Sequence, residues 1–183
     1  MTKLVGSWAL VAISYAMAPQ TVMAYDVPFQ ASFAVAFSAT PNTANTAYCG
    51  GTAGPIAIEA HGDGFSTLGA LAVSLQKTEV VPPPPPALFH GCLTLTAPDG
   101  DTLTATYDAT GSGPPNANNF SAATGTLTFT GGTGRFTGAN GKATFTAVFD
   151  TLYPASAGAG PTQGMAFYVV QGTISVNGQR RRD

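Results

Sequence analysis

From Phe29 onward the chain alternates apolar positions with small or polar ones at a period of two. Phe29, Phe33, Val35 and Phe37 occupy one set of positions, and Gln30, Ser32, Ala34 and Ala36 the other. The alternation recurs at Ile56 and Ile58 against Ala57 and Glu59, and at Leu71, Val73 and Leu75 against Ala70, Ala72 and Ser74. It returns at Leu93 and Leu95 with Thr94 and Thr96, and at Leu103, Ala105 and Tyr107 with Thr104, Thr106 and Asp108. Leu127 and Phe129 alternate with Thr126, Thr128 and Thr130, and Phe145 and Phe149 with Thr144 and Thr146. The last run, Ala166 to Val176, is apolar on both faces at first and then alternates. Successive side chains of a strand point to opposite faces, so this period predicts eight half-buried strands. No stretch after residue 24 keeps the helical i, i+3, i+4 pattern through three turns.

Turn chemistry separates the runs. Asn42 to Gly54 is polar and glycine-rich, and Gly62-Asp63-Gly64 and Pro98-Asp99-Gly100-Asp101 read as tight turns. Gly111 to Asn119 and Ala155 to Gly164 read as looser loops. Pro82 to Pro86 is a five-proline run that cannot donate to a ladder, and it reads as a stiff extended connector. Many short alternating strands predict a sandwich or a barrel. We expect an all-β chain with one closed eight-stranded antiparallel barrel over residues 25–183. Eight strands enclose a space that side chains fill or that holds one small ligand.

Composition favours closure. Only 9% of residues are charged, against about a quarter in ordinary domains. Few charges are therefore available to protect open sheet edges, and a closed barrel has none. The net charge of −2 excludes the basic stripe of a nucleic-acid-binding protein. Arg180-Arg181-Arg182 is the one basic cluster and reads as a solvated tail.

The first 24 residues have the layout of a secretory signal. Lys3 gives a positive start, Leu4 to Ala18 an apolar stretch, and Val22-Met23-Ala24 small residues at the −3 and −1 positions. We expect cleavage after Ala24 and a secreted or periplasmic barrel. The one tryptophan, Trp8, leaves with the signal. In an oxidising compartment the two cysteines, Cys49 and Cys92, are expected to bond. No CxxC spacing marks them as reactive thiols.

Residues Gly125 to Asp150 read GTLTFTGGTGRFTGANGKATFTAVFD. A threonine-rich strand ends, glycines allow a sharp turn, Phe136 re-enters the core, and a second strand follows. The glycine spacing fits neither the Walker pattern nor GxGxxG, and both of those need a following helix. The stretch resembles the allene oxide cyclase and dirigent-protein barrels, which carry a GxGxF turn followed by a small residue and glycine. Gly132, Gly134, Phe136, Ala139 and Gly141 stand in those places, and the likeness is nearest to exported bacterial barrels of that family. The resemblance implies the eight-stranded antiparallel barrel and carries no activity, since one fold hosts many functions.

Candidate chemistry is sparse. Glu59 and His61 share a strand face opposite Ile56 and Ile58, so they point to solvent if the isoleucines face inward. Asp108 lies on a threonine face and is expected to be exposed, and Lys77 and Glu79, near the proline run, are expected to be solvated. Tyr107 sits on the Leu103 face and either fills core or offers a hydroxyl to a ligand. Arg135 interrupts the glycine turn, where it caps strand-end carbonyls or reaches a barrel mouth. Gly132, Gly134, Phe136, Gly138 and Gly141 read as structural turn residues. No HxH, HExxH or CxxC spacing suggests a metal, and no cofactor motif is present. The expectation is a non-catalytic exported barrel, structural or binding a small apolar ligand. An isomerase or cyclase, or a self-assembling surface subunit, is the alternative. A lumen filled by Phe33, Phe37, Phe129, Phe145 and Phe149 speaks for the first. An open apolar pocket with one or two polar groups speaks for the isomerase.

Overall fold

The computed structural model describes residues 24–81, 86–112, 115–153 and 162–177. Its eight strands are β1 Ala24–Pro41, β2 Ile56–Ser66, β3 Gly69–Val81, β4 Ala87–Thr96, β5 Thr102–Gly111, β6 Phe120–Gly132, β7 Asn140–Tyr153 and β8 Thr162–Asn177. Each strand pairs antiparallel with the next, and β8 closes back on β1. This is the closed eight-stranded barrel expected from the alternation, with a single 3₁₀ turn, Gly134–Phe136, between β6 and β7. The segment expected to be a secretory signal, apart from Ala24, and most of the proline run lie outside the described residues.

The apolar set of every strand faces inward. Phe29, Phe33, Val35, Leu71, Val73, Leu75, Leu95, Leu103, Leu127, Phe129, Phe145, Val170 and Ile174 are buried, and Ala34, Ala36, Ala70, Ala72, Thr126, Thr128 and Thr130, which alternate with them, face out. A barrel this small must alternate large and small lumen residues around each layer. Glycines supply the small ones. Phe145 packs over Gly125 and Phe37 over Gly164, and each ring lies against a cross-strand partner that has no side chain.

Bulges bend the wall. One falls on β6 opposite Thr104 and Ala105, where Gly131 adopts φ 137°. That backbone is closed to most other residues, and it turns the strand into the glycine hairpin.

The Cys49–Cys92 disulfide is present, across a separation of 43 residues. It ties the loop between β1 and β2 to the outer face of β4. Cys49 sits in the left-handed region at φ 56°, a conformation that costs an L-residue about 1–2 kcal/mol. The Thr78 hydroxyl donates to the Thr52 carbonyl at 3.1 Å, giving the same loop a second tie.

Candidate functional site

The lumen has three layers. At the end carrying the β4–β5 turn, the Phe29 and Phe129 rings meet edge to face at 4.9 Å, in the same core cluster as Phe136 and Leu103. The middle is closed by Phe33, Leu75, Leu93, Leu127, Phe145 and Tyr168, leaving about 20 Å³ of internal space. The far end is different. The inward face of β3 runs Leu71, Val73, Leu75 and then, unbroken, Lys77 and Glu79.

This corrects the expectation that Lys77 and Glu79 are solvated. Lys77 is only 3% exposed and Glu79 7%. The strand does not end near the proline run as its apolar residues do. It continues in register through Glu79, before an irregularity between Glu79 and Val81, and the period of two carries both charged side chains into the barrel. The Lys77 Nζ lies 4.3 Å from the centre of the Phe89 ring and 4.7 Å from that of Phe149. Among the described residues no carboxylate comes within 4 Å of it. Two aromatic faces offer a cation attraction through the ring quadrupole, worth about 2 kcal/mol when desolvated. That does not repay the loss of water around a full charge. Desolvation accordingly pulls the Lys77 amine down from 10.5 to about 8, with the Glu79 charge opposing in part. Burial pushes the Glu79 carboxyl up, against a smaller pull from Lys77.

A chain of rings links this end to the middle. Phe37 meets Phe149 at 5.9 Å, Phe149 meets Tyr168 at 6.1 Å, Tyr168 meets Phe145 at 5.7 Å, and Phe145 meets Tyr107 at 5.9 Å. Tyr107 fills core and its hydroxyl is buried without a partner among the described residues. Desolvation pushes both tyrosine hydroxyls above the ordinary range, and for Tyr107 the neighbouring Tyr168 adds to it.

The other candidates fall elsewhere. Glu59 and His61 are exposed on the outer wall, while Ile58 is buried. Asp108 is exposed but not alone, for it lies 2.6 Å from the Nδ1 of His90 on the neighbouring strand. The His90 ring is covered by Gly51, where any Cβ would collide with it, and its Nε2 is buried without a partner. Arg135 belongs to the opposite end from Lys77. Its backbone N–H donates to Asp101 Oδ2 at 2.9 Å, its Nη2 donates to the Leu68 carbonyl at 3.4 Å, and its guanidinium lies 4.7 Å over the Phe136 ring. It joins the β2–β3 turn, the β4–β5 turn and the glycine hairpin at one rim. Gly132 ends β6, Gly138 lies in the turn into β7, and Gly141 pairs with Phe129 and Ile174 inside β7. Among the described residues no group of three or more His, Cys, Asp or Glu is placed to hold a metal.

Sequence reasoning missed Lys77 as an interior residue. The signal was present as parity: Leu71, Val73, Leu75, Lys77 and Glu79 are all odd-numbered on one strand.

No protein-family model matches the chain. No curated protein matches it significantly. Among solved structures it is similar to that of a pterocarpan synthase dirigent protein, at 13% identity and a TM-score of 0.41, over 89% of this chain and 92% of that one.

Proposed function

We propose that this chain is an exported, non-catalytic binding barrel that takes a small, mainly apolar molecule with a polar end at the Lys77 end of its lumen. The observation that carries the reading is Lys77 itself. A lysine is almost never buried unless paired, and strongly perturbed ionisable groups gather at functional sites. Here one amine stands in a box of Phe89 and Phe149, with Glu79 on the same face and Phe37 beyond. The rings suit an apolar body and the amine a polar end. The packed middle, with about 20 Å³ of space, favours binding at one end over conversion of a substrate deep in the barrel. The glycine-turn resemblance to the allene oxide cyclase and dirigent barrels sits beside this reading and supplies no residue to it.

The test is a titration with butyrate, hexanoate and hexanol, followed by methyl and aromatic NMR shifts and by melting temperature. Saturable shifts at Phe37, Phe89 and Phe149, with a rise in melting temperature, are expected. An outer-wall groove of about 820 Å³, flanked by Phe65 (75% exposed) and Phe167, is the competing surface. Shifts confined to that groove, or no binding by any probe, overturn the reading.

A further inference from the structure

We propose that Lys77 captures small apolar aldehydes and ketones covalently, as a reversible imine formed inside the barrel. The inference rests on the binding reading above and names its ligand class.

Three features of the geometry converge on it. The amine is held between two ring faces at 4.3 and 4.7 Å, which fixes the terminal nitrogen, and no described carboxylate within 4 Å holds it as a paired ammonium. The surroundings are apolar, and a water-poor site favours imine over its hydrolysis. Glu79 projects from the same strand face two residues on, about 7 Å along the strand, and provides an acid–base group on the lumen side. The amine's depression toward 8 by desolvation leaves a large neutral fraction near pH 8, the form that attacks carbonyls. Burial raises Glu79, which extends its protonated form upward in pH.

The step balances without an external reagent. The Nζ lone pair forms a bond to the carbonyl carbon, and the carbonyl π electrons move to oxygen, which takes up the proton that the now four-bonded nitrogen sheds. The resulting carbinolamine loses that oxygen as water. The Glu79 carboxyl donates the proton to the departing hydroxyl, and its carboxylate then takes the proton released by nitrogen as the C=N bond forms. Amine plus carbonyl gives imine plus water, with no oxidant or reductant. Capture reverses when water returns.

The sequence makes the test clean, because Lys77 and Lys142 are the only lysines after the N-terminal segment. Lys142 is exposed on the outer wall and serves as the internal control. The protein is incubated at pH 8 with butanal or butanone, reduced with cyanoborohydride, digested, and each lysine-bearing peptide quantified by mass. We expect Lys77 to be labelled at least about tenfold more than Lys142, because the lumen holds its amine and the carbonyl together out of water, with saturation in aldehyde and protection by hexanol. Lys77→Arg should lose the site while Lys142 labelling stays unchanged. Equal or greater labelling of Lys142, or labelling of Lys77 only in urea, overturns the proposal. If butyrate or hexanol binds beside Phe89 and Phe149 while Lys77 stays unlabelled, the imine is wrong and the binding site stands. If neither binding nor labelling occurs, both fall.

Discussion

Lys77 faces Gly91 directly across the β3–β4 ladder, and a Cβ on Gly91 would lie 2.6 Å from the Lys77 Cβ and closer still to the Gln76 carbonyl. The lysine enters the lumen because its cross-strand partner has no side chain. Beyond Gly91 the next residue in the same row is Tyr107 on β5, so the vacancy joins the lysine end to the tyrosine layer. Gly91→Ala should therefore force β3 and β4 apart, an overpacking that typically costs about 1–3 kcal/mol. Chemical denaturation of the variant should show a lower midpoint with an unchanged slope. A midpoint equal to that of the parent would mean that the ladder yields freely at this point.

The pH dependence of stability follows from the same residue. The folded-state pKa of Lys77 lies below its ordinary 10.5, at about 8. The unfolded chain therefore binds more protons than the folded one between those values, and stability rises with pH across that window. At about 1.36 kcal/mol per unit, the full effect is roughly 3 kcal/mol. Among the described residues Glu79 is the titratable group whose charge acts on Lys77, and Tyr107 and Tyr168 lie in the layer below it. Glu79 is raised, so the folded state holds its proton longer and stability falls as pH climbs above the carboxylate range. The tyrosines are raised as well, so they oppose stability above about pH 10. Melting temperature should thus rise from pH 8 to 10 and fall beyond. Lys77→Met should be more stable at pH 7 and lose the rise. A melting temperature flat from pH 8 to 10 in the parent would refute the buried-amine account.

How far the sequence carried can be judged at particular positions. The eight strands and the inward phenylalanines were legible because period two is a local signal, and the Cys49–Cys92 pairing because the sequence has two cysteines. The Gly62-Asp63-Gly64 turn is corrected, for those residues pair inside β2 and the turn falls at Thr67 and Leu68. Lys77 was not legible, because its place near the proline run points to a strand end and to solvent. Burial at that position is settled by Phe89, Gly91 and Phe149, which come from β4 and β7 and are invisible to a reading of β3 alone. The His90–Asp108 pair was hidden for a related reason. The two residues are 18 apart in sequence and become neighbours only through the β4–β5 register.

Export and the disulfide make one prediction. If the chain is cleaved after Ala24, the secreted protein has a mass beginning at Tyr25, lacks tryptophan absorbance, and keeps nearly all of β1. Unfolded without reductant, it should show no free thiol, given the Cys49–Cys92 bridge. Cys92→Ala should lose roughly 4 kcal/mol on a chain-entropy account of a loop this long. Full-length protein retained in washed membranes would reject the processing step, and an unchanged denaturation midpoint in Cys92→Ala would reject the bridge as a stabiliser.

The Tyr107 hydroxyl is buried without a partner among the described residues and borders the small central space. An unsatisfied buried hydroxyl costs about 1–3 kcal/mol. Tyr107→Phe keeps the ring contact with Phe145 and removes the stranded group, so its melting temperature should equal or exceed that of the parent. A clear fall would show that the hydroxyl is hydrogen-bonded in solution.

The glycine hairpin is expected to serve the fold. Phe136 is 2% exposed and packs in the core under the rim, so Phe136→Ala should cost about 3–5 kcal/mol. Gly134 holds φ 53°, and a Cβ there would collide with the Asp101 carboxylate that accepts the Arg135 N–H. Gly134→Ala thus meets backbone strain and loses that hydrogen bond together, and it should unfold the rim at lower temperature than Arg135→Ala. Arg135→Ala keeps the backbone N–H bond to Asp101. It gives up a long hydrogen bond to Leu68, a 3.9 Å pairing with Asp99 and the stacking on Phe136. Its side chain is partly exposed, and such pairs contribute about 0–1 kcal/mol, so the loss should be small. The decisive measurement sets melting temperature against hexanol binding in these variants. The hairpin lies at the opposite end of the lumen from Lys77, so Arg135→Ala should leave binding beside Phe89 and Phe149 intact. If it abolished that binding while the melting temperature held, the ligand would have to enter from the Arg135 rim, and the assignment of the site to the Lys77 end would fail.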